Sequence, residues 1–178
     1  TLERLRAIPA EEATAALRCL ADIYPDAHSL PLSAGMLALR AGDHETARRH
    51  FAKAEPLQPE NDAKGLSAFY HAYTHTLDNN WELALPGLER AIRLCPDMKE
   101  YLNLCGVCLF KLQRYTEAAE CFRDIITRLD KGSAVDLQNL GLCHKFMGHS
   151  DQARHYLHAA LTLDPGLDKA REHLAELA

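Results

Sequence analysis

Glycine and proline are scarce, with nine and eight in 178 residues, and aromatic residues make up only 7%. Long alternating Val/Ile/Thr runs are missing, which excludes a sheet as the main building element. No apolar run approaches the roughly 18 residues of a membrane span. Basic charge is not in excess either. Twenty Lys and Arg stand against twenty-five Asp and Glu, a net charge of −5. That argues against a dedicated nucleic-acid binder, which shows a basic face. A glycine-rich phosphate loop is lacking, as is any Ser or Cys nucleophile in a strand–turn–helix context. Carboxylates such as Glu117 and Glu120 read as a solvated helix face rather than an acid–base pair. The expectation is therefore a chain that is not an enzyme and uses no cofactor. The opening stretch, TLERLRAIPAEEATAALRC, lacks a basic segment followed by an apolar core, so it is not expected to be a secretory signal. The first residue is Thr1, so the expectation is a processed or trimmed piece of something longer.

Ala and Leu dominate what is present, and that composition favours helix throughout. The length suffices for one domain with a sizeable core or for one short repeat array. The six cysteines, at 19, 95, 105, 108, 121 and 143, are scattered. Most fall inside amphipathic helical stretches, which is not how a small disulfide scaffold is built. They read as reduced thiols of a cytoplasmic protein.

The period decides the fold. Ala13, Ala47, Ala84, Ala118 and Ala153 recur at spacings of 34, 37, 34 and 35 residues. Four residues after each come Leu17, Phe51, Leu88, Phe122 and Leu157. Seven after come Leu20, Ala54, Ala91, Ile125 and Ala160. Twelve after come Pro25, Pro59, Pro96, Asp130 and Pro165, and twelve before come Thr1, Gly35, Ala72, Gly106 and Gly141. A Gly or Ala in a first helix permits close approach of a second. The Ala of the second helix is small for the same reason, and the large residue one turn on lies on the same face. The Pro column starts the next turn. Each unit is thus two antiparallel helices joined by a short turn, such as Ala41-Gly42-Asp43 or Met147-Gly148-His149. One pair leaves an apolar face open, and stacked pairs cover it.

The stretches LGLCHKFMGHSDQARHYLHAALTLDP, LCGVCLFKLQRYTEAAECF and AGDHETARRHFAKAEPLQP resemble the tetratricopeptide (TPR) repeat. The resemblance covers nearly the whole chain. It implies an all-α fold, a right-handed superhelical stack of TPR helix-turn-helix repeats (an α-solenoid) with a C-terminal capping helix. Complete repeats are expected over 28–61, 65–98, 99–133 and 134–166, after a partial repeat over 1–27. A capping helix over 167–178 carries Leu167, Ala170, Leu174 and Leu177 at helical spacing. Departures are expected at His71 and His75, which replace apolar or aromatic residues, and at Pro86, which should kink a second helix or cost it a hydrogen bond. Further irregularity is expected at Asn61–Lys64, where the period gains three residues, and at Asp130-Lys131-Gly132.

In a TPR array the first helices line a concave face. Helical geometry from the Gly column then predicts a groove lined by Leu32, Met36, Leu39, Phe69, Tyr73, Leu77, Val107, Phe110, Leu142 and Phe146. Asn103, Gln138, Thr76 and the cations Arg40, Lys111 and Lys145 interrupt it. Some TPR proteins clamp a terminal carboxylate here. The matching positions in this sequence, Leu32, Met36, Tyr70, Glu100 and Leu104, cannot do so. An apolar groove suits an amphipathic helix or an extended segment of a partner protein. The other reading is that these residues are buried against neighbouring helices. A narrower resemblance joins residues 88–122 to bacterial type III secretion chaperones for translocators, small acidic TPR proteins that hold a client segment in an apolar groove. A third possibility is an assembly role, packing against another copy or another domain. Neither nucleic acid nor membrane insertion is expected.

Two smaller motifs invite chemistry. Cys105-Gly106-Val107-Cys108 is a CxxC, but it lies mid-helix rather than at a helix N-terminus, so core packing accounts for it better than redox function. A zinc site would need further ligands, and Cys121 across the hairpin is the nearest to hand. His71 and His75 have workable metal-ligand spacing, yet no Glu follows the first His, and packed neutral imidazoles are expected instead. No metal is expected.

Overall fold

The computed structural model describes residues 29–130 and 132–177, together with Glu12. The expected partial repeat over 1–27 therefore lies, apart from Glu12, outside the described residues. Helices are the only regular elements among the described residues. They fall into two compact units, divided between Pro96 and Asp97. The first holds α1 (Ser29–Arg40), α2 (His44–Leu57), α3 (Asn61–Leu77) and α4 (Trp81–Leu94). The second holds α5 (Lys99–Lys111), α6 (Tyr115–Thr127), α7 (Ala134–Phe146), α8 (Ser150–Leu163) and α9 (Asp168–Ala175). Within the first unit α1 packs on α2, α2 on α3 and α3 on α4. Within the second, each helix from α5 to α9 packs on its successor.

Each hairpin turn is built the same way. Gly42, Asn79, Gln113 and Gly148 adopt positive φ, at 77°, 58°, 61° and 79°. The next residue then donates its N–H back to the end of the first helix: Asp43 to Ala38 O, Asn80 to His75 O, Arg114 to Leu109 O and His149 to His144 O, each at 2.9 Å. This left-handed closure ends one helix and reverses the chain into the next. Asp43 also caps α2, its carboxylate accepting from Thr46 N at 3.0 Å.

The small-residue columns are where the helices touch. A Cβ on Gly35 would lie 2.5 Å from the Phe51 ring, one on Gly106 2.8 Å from Phe122, and one on Gly141 3.0 Å from Leu157. In the remaining hairpin Ala72 occupies the column, and α4 compensates with Gly87, whose missing Cβ would stand 2.9 Å from Ala72 Cβ. Ala47, Ala84, Ala118 and Ala153 are wholly buried, as are Phe51, Leu88 and Leu157. Deleting or adding a methylene at such positions is felt directly because the interior is close-packed.

The irregular places resolve locally. The lengthened period becomes helix rather than loop, since α3 runs for 17 residues against 12 in α1 and 13 in α5 and α7. Pro86 sits inside α4, which continues from Trp81 to Leu94. Its ring removes one donor, so the Glu82 carbonyl loses its helical partner. Pro86 is exposed, where water can replace that bond. Asp130 turns the chain with φ of 49° before Gly132.

The last helix covers the apolar face of α8. Ala170 is buried and Leu167, Leu174 and Leu177 are half-buried. Polar contacts hold its end. Lys145 is paired with Glu176 and lies 3.1 Å from His173 Nδ1. Arg154 Nη1 donates to the Leu177 carbonyl at 2.8 Å. No helix among the described residues is long and apolar enough to cross a membrane.

Candidate functional site

All ten residues read from the sequence as groove-lining keep some exposure, while the Gly column beside them is buried. In the first unit Met36 and Leu77 are each 39% exposed. Phe69 and Tyr73 stack with centroids 6.2 Å apart, and Phe69 meets Tyr70 edge-on at 5.4 Å. Leu32 and Leu39 are more engaged. Together with Tyr70 they pack against the buried cluster of Ala38, Ala47 and Phe51. At these two positions packing against neighbouring helices takes up part of the apolar surface.

In the second unit the structure brings three of the ten residues to one place. Val107 and Phe110 of α5 and Leu142 of α7 line a pocket of about 170 Å³ with Lys111, Phe122 and Asn139. Beside it Phe110 meets Phe146 edge-on at 5.4 Å and Tyr115 at 5.3 Å, while Tyr115 stacks on Phe146 at 5.2 Å. Phe146 nevertheless remains 51% exposed. Tyr115 is absent from the sequence-derived groove because it opens a second helix rather than lining a first. The signal that could have found it is its column, since Trp81 occupies the same place in the preceding repeat.

The polar groove positions are mostly occupied from within. Asp136 is almost wholly buried. It accepts from Lys99 Nζ at 2.7 Å, from Asn103 Nδ2 at 3.0 Å and from the N–H and hydroxyl of Ser133 at 2.8 and 2.6 Å. Burial alone would push this carboxyl up. Lys99 and the Ser133 bonds outweigh that and hold it below the usual carboxylate range. Asn103 is thereby committed to the fold. Gln138 is buried with its Oε1 unpartnered.

The thiols are packing residues in their geometry. Cys105 and Cys108 are buried in the middle of α5, away from the positive end of the helix dipole. Burial pushes the Cys108 and Cys143 thiols up to about 12. Cys121 lies against Cys105 across the hairpin, and that thiol–thiol hydrogen bond, with burial, pushes it up as well. Such thiols carry almost no thiolate near neutral pH, and the thiolate is the reactive form. The five described cysteines are unpaired. His71 and His75 meet edge-on with centroids 5.1 Å apart. Among the described residues no group of three His, Cys, Asp or Glu is placed to hold a metal ion.

Comparison with known proteins agrees with this architecture. The family profile described as "Anaphase-promoting complex, cyclosome, subunit 3" matches residues 46–125. The tetratricopeptide repeat profile matches residues 137–167. The chain is 26% identical over 147 residues to the BBSome complex member BBS4 of Bos taurus, covering 81% of this chain and 27% of that protein. It thus spans about a quarter of the length of that curated relative. Among solved structures, YrrB, described as a TPR protein with an unusual peptide-binding site, superimposes with a TM-score of 0.80 at 24% identity, over 92% of this chain and 82% of its own. MamA of Desulfovibrio magneticus RS-1 superimposes with a TM-score of 0.79 at 20% identity, over 94% of this chain and 92% of its own. The buried Gly and Ala columns, the repeated left-handed turns and these likenesses agree: the chain is a tetratricopeptide repeat protein.

Proposed function

We propose that the chain is a non-catalytic protein–protein interaction module, an adaptor or chaperone-like scaffold that binds an apolar or amphipathic segment of a partner protein on apolar residues of its first helices. One observation carries this reading. In the second unit an apolar pocket opens beside a cluster of three aromatic rings, and one of those rings, Phe146, stays half exposed. Aromatic side chains in such settings dominate binding energy. Phe69 and Tyr73 supply a smaller apolar platform in the first unit. The peptide-binding description of YrrB supports the same use of the fold. The translocator-chaperone reading rests on the resemblance of residues 88–122 alone.

A second reading, in which this face is a fixed assembly contact, is favoured by the company the chain keeps. Its matching profile and its curated relative are both named as parts of multi-subunit complexes. Quantitative pull-downs with the wild-type chain and with Tyr73→Ala and Phe110→Ala separate the readings from an adventitious one. Partners retained by the wild type and by the exposed-site control Glu120→Ala, but lost from both groove variants, support groove binding. An identical set on all four proteins overturns it. Concentration-dependent self-association in the ultracentrifuge, abolished by the same variants, indicates assembly with a second copy instead.

A further inference from the structure

We draw no further inference here: the strongest candidate, the apolar pocket between α5 and α7 of the second unit with the rings of Phe110, Tyr115 and Phe146 beside it, belongs to the site already described, and nothing in the structure shows what covers it.

Discussion

His71 and His75 stand one turn apart on α3 with their rings edge to face at 5.1 Å. Burial lowers both below the ordinary imidazole value. His71 is lowered further by His75, Arg90 and Arg48 against the opposing pull of Glu55, and His75 by Arg48 against Asp78 and Glu45. In the second unit His144 is stacked on Tyr156 at 5.3 Å with its Nδ1 unpartnered. Burial, His149 and Arg123 lower it. All three are more easily protonated in the unfolded chain. Stability is therefore full above the unfolded value of about 6.5 and falls as pH drops below it. Urea melts should show a lower midpoint at pH 5.5 than at pH 7.5, and His71→Gln with His75→Gln and His144→Gln should flatten that dependence. An unchanged slope would show that other groups set it.

Gly141 leaves no room for a side chain, its absent Cβ lying 3.0 Å from Leu157 Cγ. Gly141→Leu, or Ala118→Leu at a wholly buried position, should cost about 1–3 kcal/mol through overpacking. Glu120→Ala on the exposed face of α6 should cost within about 0.5 kcal/mol. Chemical denaturation of the three variants checks the ranking.

The turns allow a purely conformational test. Gly148 has φ of 79° and open space around its missing Cβ. Gly148→Ala should then cost about 1 kcal/mol from backbone strain alone. Gln113 takes the same conformation at 61°. Gln113→Gly relieves strain there, offset partly by the greater freedom of glycine in the unfolded chain. Thermal melts should place the two variants on opposite sides of the wild type.

These cases show why much of the fold was legible in the sequence. Gly106 and Phe122, or Gly141 and Leu157, are sixteen residues apart in register. A contact repeated at one spacing leaves a column that can be read without coordinates. What does not repeat was not legible. Ala72 departs from the glycine column, and only the structure shows Gly87 compensating on the facing helix. Asn103 looked available to a ligand, yet Asp136 holds it. Val107, Phe110 and Leu142, read from the same column as groove-lining, do line one pocket. Tyr115 was missed because that geometry was applied to first helices only.

Arg154 is a further instance. Its position on a second helix places it away from the groove by period, but its guanidinium binds the Leu177 carbonyl at 2.8 Å. Arg154→Ala should release the end of α9 and raise amide hydrogen exchange there, while exchange in the first unit stays at the wild-type level. Loss of about 1 kcal/mol of local protection is the expected scale for one such hydrogen bond. Unaltered exchange across α9 would mean that apolar contacts alone hold it.

Asp136 has a consequence for how the second unit comes apart. In a linear stack each hairpin touches only its neighbours, so such proteins tend to fray from an end, one repeat at a time. This carboxylate serves two helices at once. It completes the capping box with Ser133 that starts α7, and it receives Lys99 and Asn103 from α5, the first helix of the preceding hairpin. Unravelling α7 would take the Asp136 carboxylate from both Lys99 and Asn103 of α5, and displacing α5 would loosen the start of α7. The two hairpins are thereby bound to a common fate, melting as one cooperative block where a stack of independent repeats would shed them in turn.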